Sequence, residues 1–364
     1  MYDFLIVGAG LAGAVLAHEL KKKGYKVIVV EKRENIGGNC MTLDFNGITI
    51  HEYGPHIFHT KNKMVWDYIN QFAEFNNFIN SPVANYKGEL YNLPFNMNTF
   101  YSLYGVRTPN EARERINKSI GKSMGNIENL KDKAISMVGE DIYKILIEGY
   151  TEKQWGRPCT ELPPDIIKRL PLRFTYDNNY FNDKYQGIPI GGYSPIFKKL
   201  LDGIFTLTNY PFVGKDDDLV NIAKHIIYTG PIDEYYNFCF GRLEYRATSF
   251  IHALYWIDNV QGVAVMNYTS KDVPFMRSIE HKHFDNSNQA EGFSVVSYEY
   301  SEEYVPGKEP SYPINTAKNN LLYSKYKELA DKQDKVIFTG RLGKYKYQNM
   351  DEVILDSLNI ANKF

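Results

Sequence analysis

Three glycines near the start of the chain, Gly8, Gly10 and Gly13, are spaced G-x-G-x-x-G behind a run of apolar residues. That spacing suits phosphate chemistry. The first glycine allows a tight turn, the second lets the backbone approach a pyrophosphate, and the third lets the following helix pack closely. Free N–H groups and positive potential at the helix N-terminus then favour the phosphates. Glu31 ends the next apolar run, where an acid hydrogen-bonds a ribose 2′-hydroxyl. Together these residues point to a dinucleotide, NAD or FAD. Cations for a further anionic ligand are available at Arg169 and Arg173, inside a proline-bounded segment, and at Arg246 and Arg277. His56 and His59 are three residues apart with no third ligand nearby, and Cys40, Cys159 and Cys239 fit no zinc spacing, so no metal site is expected. His281 and His283 alternate along a strand pattern, so they should face opposite sides.

A glycine turn facing a ribose acid requires a βαβ unit, and the hydrophobic pattern supplies one. Residues 3–7 and 26–30 read as buried strands, with a helix at 11–22 between them. Residues 64–75 look helical. Residues 110–148 alternate helical patterns with a polar stretch at 121–133, which indicates a helical lobe. Prolines and glycines between 163 and 192 predict a mobile loop at about 160–180. Residues 263–268, 276–281 and 293–300 are β-rich with turns between them, the pattern of a largely antiparallel sheet. A short buried strand at 335–338 precedes a helix from about 350 to 362, so the end of the chain is expected to return to the first domain.

The chain has 364 residues, enough for two or three packed lobes around a sizeable buried site. Its 42 Lys and Arg against 43 Asp and Glu leave a net charge of -1, which gives no general attraction to nucleic acid or an acidic membrane. No apolar run approaches the ~18 residues of a membrane span. Reduced thiols and a cytoplasmic location are expected from the odd cysteine count.

Two features favour FAD over NAD. Glu31, Lys32, Arg33, Gly37, Gly38 and Asn39 form E-K-R-x-x-x-G-G-N, which resembles the extension found in FAD proteins. Thr339, Gly340 and Arg341 after the late strand resemble their C-terminal flavin-binding segment, with a helix from Met350 directing its dipole at the ring. The expected fold class is α/β, with a Rossmann-type FAD-binding domain, a helical lobe and an antiparallel β-sheet lobe. The FAD-binding domain is assigned residues 1–80, 186–240 and 315–364, the helical substrate lobe 81–185, and the sheet lobe 241–314.

Four segments occur in one order along the chain: G-P-H-I-F-H-T at 54–60, G-Y-T-E-K-Q-W-G at 149–156, D-N-N-Y-F at 177–181, and 340–350 beginning G-R-L. Together they closely resemble the bacterial UDP-galactopyranose mutases over essentially the whole chain. The resemblance implies bound FAD and a UDP-galactose substrate. It implies interconversion of the pyranose and furanose rings by attack of reduced flavin N5 on the anomeric carbon, without net redox change. It also implies activation by NAD(P)H or another reductant, and a homodimer. By the same resemblance Arg169 and Arg277 clamp the diphosphate, and Arg246 is a further anion contact. Tyr150 and Trp155 surround the uridine, Tyr180, Tyr312 and Tyr347 reach the diphosphate, and Thr151 is a further substrate-binding residue. Asn80 and Asn267 are additional polar contacts. Gly8, Gly10, Gly13, Glu31, Lys32, Gly38, Asn39, His56, His59, Arg341 and Met350 hold the cofactor. One position departs from the pattern: Asn349 stands where the family often has Asp, which removes a negative charge but keeps the hydrogen-bonding shape. Two other readings remain on sequence alone. One is an FAD-dependent oxidoreductase of related fold. The other is a non-catalytic binding protein such as the Rab GDP-dissociation inhibitors resemble, against which the intact glycines and Glu31 argue.

Overall fold

The computed structural model describes residues 1–121, 126–169, 172–285 and 290–364, without the side chains of Lys168 and Arg169. Two sheets organise it. The first is wholly parallel, in the order Val336–Phe338, Ala223–Tyr228, Tyr2–Val7, Val27–Val30, Phe205–Leu207. Its central strands are apolar on both faces because helices cover both sides. Tyr2–Val7 is flanked by Val27–Val30 on one side and by the much later Ala223–Tyr228 on the other. This reversal of strand order opens a crevice at the carboxyl ends.

The helix Leu11–Lys22 starts from Gly10, which offers no side-chain cap, so its first N–H groups remain available. Packing holds this helix instead. Leu16 and Leu20 are fully buried, each contributing about 2 kcal/mol by removal from water. The helix Met350–Ala361 packs beside it, with Ser357 Oγ 3.4 Å from Ala12 O, and this brings the end of the chain back to the first domain.

The second sheet runs Pro310–Pro313, Tyr245–Tyr255, Ser294–Glu303, Arg277–Glu280, Val265–Tyr268, Val83–Tyr86, Glu89–Asn92. It is antiparallel except where Val265–Tyr268 meets Val83–Tyr86. Residues 83–92, assigned by sequence to the helical lobe, therefore form a hairpin that extends this sheet. The helices Met97–Tyr104, Pro109–Ile120, Leu130–Ile142 and Gly149–Trp155 share a separate core around Phe100, Ile116, Ala134, Ile142 and Leu146. Thr108 and Glu111 form a reciprocal capping box, with Pro109 in the first turn.

Two local expectations are corrected. The helix predicted over 64–75 is Lys63–Ile69, because Gln71 and Phe72 turn back onto Tyr68 and Ile69 and Phe75 pairs with Pro189. His281 and His283 lie on the 3-10 turn His281–Phe284, since Arg277–Glu280 already ends the strand. Among the described residues no helix is long and apolar enough to cross a membrane.

Candidate active site

A cavity of about 1010 Å³ opens at the carboxyl ends of the parallel strands and continues against the second sheet and the helical lobe. Its glycine end is built by close backbone approach. Gly8 has φ +103°, and a Cβ there would sit 2.1 Å from Thr229 Oγ1. Gly10 and Gly38 face each other: a Cβ on Gly38 would lie 3.0 Å from Gly10 Cα. Glu31 is buried, with Oε2 accepting from Ala9 N at 2.7 Å and Oε1 from Arg33 N at 2.9 Å. The carboxylate is thus fixed with lone pairs to spare, as a ribose diol requires. Arg33 lies 4.5 Å over the Tyr53 ring and donates to Asn39 Oδ1 and Glu309, yet its buried Nη1 has no partner. Lys32 pairs with the same Glu309 at 2.8 Å. An uncapped helix N-terminus, a glycine cradle, a fixed acid and an orphaned guanidinium nitrogen fit a dinucleotide.

Further along the wall, Arg277 and Asn267 are register partners on neighbouring strands. Arg277 donates to Glu299 Oε2 through Nε at 2.7 Å and Nη2 at 2.5 Å. Burial pulls this guanidinium down, but Glu299, Tyr150 and Tyr312 outweigh that and hold it above the usual arginine range. It is a permanent cation. Asn267 Oδ1 is buried without a partner.

Tyr150, Tyr180, Tyr312 and Tyr347 line the same wall, with Tyr312 and Tyr347 stacked at 6.0 Å. Burial pushes the Tyr312 hydroxyl up to about 12 and raises those of Tyr150 and Tyr180, so all three stay protonated and can donate to an anion. Asn80 completes this end.

Between the two ends lie His56, His59, Arg341, Asn349 and Met350. His56 Nδ1 is 2.8 Å from Gly54 O, so Nδ1 carries the proton and Nε2 is left as an acceptor. Burial, with Arg341 and Arg277 nearby, pushes His56 down to about 4, so the ring is neutral near pH 7. His59 Nδ1 is 2.5 Å from Asp183, and Phe181 stacks on the imidazole at 3.8 Å. Asn349 precedes the helix Met350–Ala361, and Glu352 accepts from its backbone N at 2.8 Å.

Not every residue singled out by sequence reaches the cavity. Gly13 lies behind it, where a Cβ would be 1.9 Å from Gly8 O; its role is to let the helix pack. Thr151 is buried away from the wall, and Trp155 packs on the helical core with its indole N–H buried and unpartnered. Arg246 is absent from the wall as well. It is 3 % exposed, donates to Gln154 O and Ser301 Oγ, and pairs with Glu303, which makes it an internal tie. Arg173 is used in folding the 177–182 segment, through Asn179 O, Tyr180 O and Asn182. Arg169 ends the turn Pro164–Arg169, and its side chain lies outside the described part.

Sequence reasoning missed Glu299, Asp183, Phe181, Thr229 and Glu309, all in the wall. Glu299 had a weak signal: it falls two residues from both Ser297 and Ser301, so the three share one face of a strand.

Comparison with known proteins places the chain in a family. A sequence model of the UDP-galactopyranose mutase family matches residues 145–347, and one of NAD(P)-binding Rossmann-like domains matches 6–72. The chain is 39 % identical to a probable UDP-galactopyranose mutase of Klebsiella pneumoniae, covering all of this chain and 94 % of that protein. It is 36 % identical to a dTDP-fucopyranose mutase of Escherichia coli, covering all of this chain and 98 % of that protein. A crystal structure of reduced UDP-galactopyranose mutase superposes with a TM-score of 0.77 at 18 % identity, over all of this chain and 95 % of that one, which shows a shared fold. With full-length relatives at this identity and a family match over more than half its length, the chain belongs to the UDP-galactopyranose mutase family.

Proposed function

We propose that this protein interconverts UDP-galactopyranose and UDP-galactofuranose with FAD bound at the glycine end of its cavity. The observation that carries this reading is the continuity of one cavity from Gly8, Gly10 and Glu31 to Arg277 and four tyrosines. The glycine end and Glu31 would hold FAD, which in its reduced form would supply a nucleophilic nitrogen, N5, for the anomeric carbon, so that the ring change needs no net oxidation. The chain's own groups bind and neutralise. Arg277, held in place by Glu299, opposes the charge that grows on the departing diphosphate. Tyr150, Tyr180, Tyr312 and Tyr347 supply hydroxyls, Arg169 is a second cation by family resemblance, and neutral His56 offers an acceptor nitrogen. We place the enzyme in the cytoplasm as a homodimer reduced by NAD(P)H or another donor; light scattering tests the dimer.

The functional test is anaerobic incubation of the flavin-loaded protein with UDP-galactofuranose, with and without dithionite, followed by chromatography of the nucleotide sugars. The expected result is catalytic formation of UDP-galactopyranose only after reduction, with no stoichiometric loss of reductant. A reduced, flavin-loaded enzyme that converts nothing refutes the reading. An oxidoreductase would consume electrons at each turnover, and a non-catalytic binding protein would purify colourless. A second substrate reading, a dTDP-linked 6-deoxy sugar, is favoured by the full-length similarity to the dTDP-fucopyranose mutase. Parallel kcat/KM measurements on dTDP-fucopyranose decide between the two.

A further inference from the structure

Lys153 lies on the helix Gly149–Trp155, three residues beyond Tyr150, with its side chain outside the cavity wall. Its ammonium donates to three backbone carbonyls: Tyr268 O at 2.7 Å, Val273 O at 2.9 Å and Phe275 O at 3.1 Å. Tyr268 ends the strand Val265–Tyr268, and Val273 and Phe275 lie in its connection to Arg277–Glu280, the hairpin whose two arms carry Asn267 and Arg277 into the cavity. An ammonium has three protons to give, and here each has an acceptor.

Two further observations tie the same two elements. A Cβ on Gly149 would sit 2.3 Å from Thr269 O, so helix and hairpin are in backbone contact, and Lys271 pairs with Glu152 at 2.7 Å. Burial pulls the Lys153 ammonium down to about 8, so it is still charged near pH 7.

We propose that Lys153 is a positioning residue that sets the distance between the aromatic wall at Tyr150 and the cationic wall at Arg277, and so the width of the subsite for a nucleoside diphosphate. This rests on the functional reading above. Lys153 is not part of the cavity wall and would act only through the hairpin. Its three bonds keep the hairpin from sliding along the helix, which would carry Arg277 away from the phosphates while leaving the glycine end untouched.

The test is a double-mutant cycle on UDP affinity, measured by calorimetry on flavin-loaded protein for wild type, Lys153→Met, Arg277→Met and the double variant. Lys153→Met is expected to weaken UDP binding by about tenfold, the scale of one hydrogen bond to a charged group, with flavin content unchanged. In the Arg277→Met background the same change is expected to cost less than about twofold, because the group being positioned is gone. Equal losses in both backgrounds reveal a general structural role and overturn the proposal, as does unchanged affinity in Lys153→Met. Should Lys153→Met fail to retain flavin, Lys153→Arg carries the same cycle. It keeps the charge, but its planar fork cannot serve three carbonyls arranged as a tripod, and a loss of about threefold, again only with Arg277 present, is expected. If unmodified enzyme binds neither UDP nor dTDP, the functional reading falls and this proposal with it, a failure distinguishable because it needs no variant.

Discussion

Replacing Arg277 by Met should harm stability and turnover by separable mechanisms, and replacing Glu299 at the same time should restore only the first. Glu299 is 5 % exposed, and Oε2 accepts both donors of Arg277. Removing the guanidinium strands a buried carboxylate, and removing the carboxylate by Glu299→Gln strands a buried guanidinium. Breaking a buried pair from one side costs about 3–5 kcal/mol, whereas replacing both charges is close to neutral. Arg277 is 23 % exposed at its side chain, so solvent screening lowers the cost below that range, to about 2–3 kcal/mol for each single change and about 1 kcal/mol for the pair. Urea unfolding of flavin-loaded protein should then give a coupling energy of about 3–5 kcal/mol. Turnover follows a different rule. Loss of the preorganised cation proposed to face the diphosphate should cost about 100- to 1,000-fold in kcat, in Arg277→Met and in the double variant alike. Coupling below about 0.5 kcal/mol would refute the view that the two residues fold as a unit. Recovery of turnover in the double variant would refute the role of Arg277 as the cation that opposes charge on the diphosphate.

Gly13→Ala should give folded but colourless protein, since its Cβ would lie 1.9 Å from Gly8 O and displace the phosphate-facing turn; stoichiometric flavin absorbance in this variant counts against the close-packing argument. Glu280 is fully buried. Burial alone raises its carboxyl, but His283, the N–H groups of Val260 and Gln261 and the Ser294 hydroxyl outweigh that and hold it at about 2. A depressed folded value contributes stability above the unfolded carboxyl value of 4.5 and loses it as pH falls toward 2, roughly 3 kcal/mol here; acid-unfolding profiles of wild type and Glu280→Gln should therefore converge across that window. His56, held near 4, is already neutral by pH 5.5, so the pH dependence of kcat/KM from 5.5 to 8 should keep its shape in His56→Asn, and a lost inflection there would show that the ring titrates. Asn349→Asp should raise the stability of flavin-loaded protein by about 0.5 kcal/mol through the dipole of the helix Met350–Ala361; a lower thermal midpoint would mean that added charge beside the cofactor costs more than the dipole returns.

Legibility of the sequence followed the range of the interactions involved. The βαβ unit could be read because its determinants lie within about thirty residues: an apolar run, three glycines, a helix and an acid. The structure places Gly8, Gly10 and Glu31 together for local reasons, including the bonds from Glu31 to Ala9 N and Arg33 N. The parallel strand Ala223–Tyr228 and the long strand Tyr245–Tyr255 went unread because their pairing depends on partners about 40 to 220 residues away. That hairpin 83–92 extends the sheet is hidden for the same reason, its parallel partner being Val265–Tyr268, while Ala84 and Tyr91 pack into the helical core to which the sequence assigns them.

Motif matching identified segments but not the directions of their side chains. In G-Y-T-E-K-Q-W-G the helix Gly149–Trp155 turns Tyr150 into the cavity and Trp155 into the helical core, although both had been grouped as uridine neighbours. Arg246 and Arg277 were indistinguishable as single arginines on β-rich segments. Arg246 meets Gln154 O, Ser301 and Glu303 and becomes internal, while Arg277 is opposite Glu299 and stays at the cavity wall. The partner acid therefore decides which arginine is available to a ligand. Glu303 and Glu299 occupy the same strand, four residues apart and on one face, each opposite its own arginine in the strand register. An arginine on a strand can be assigned to a site only after that register is known, which is why the cationic end of the cavity was a matter of family resemblance until the second sheet had been traced.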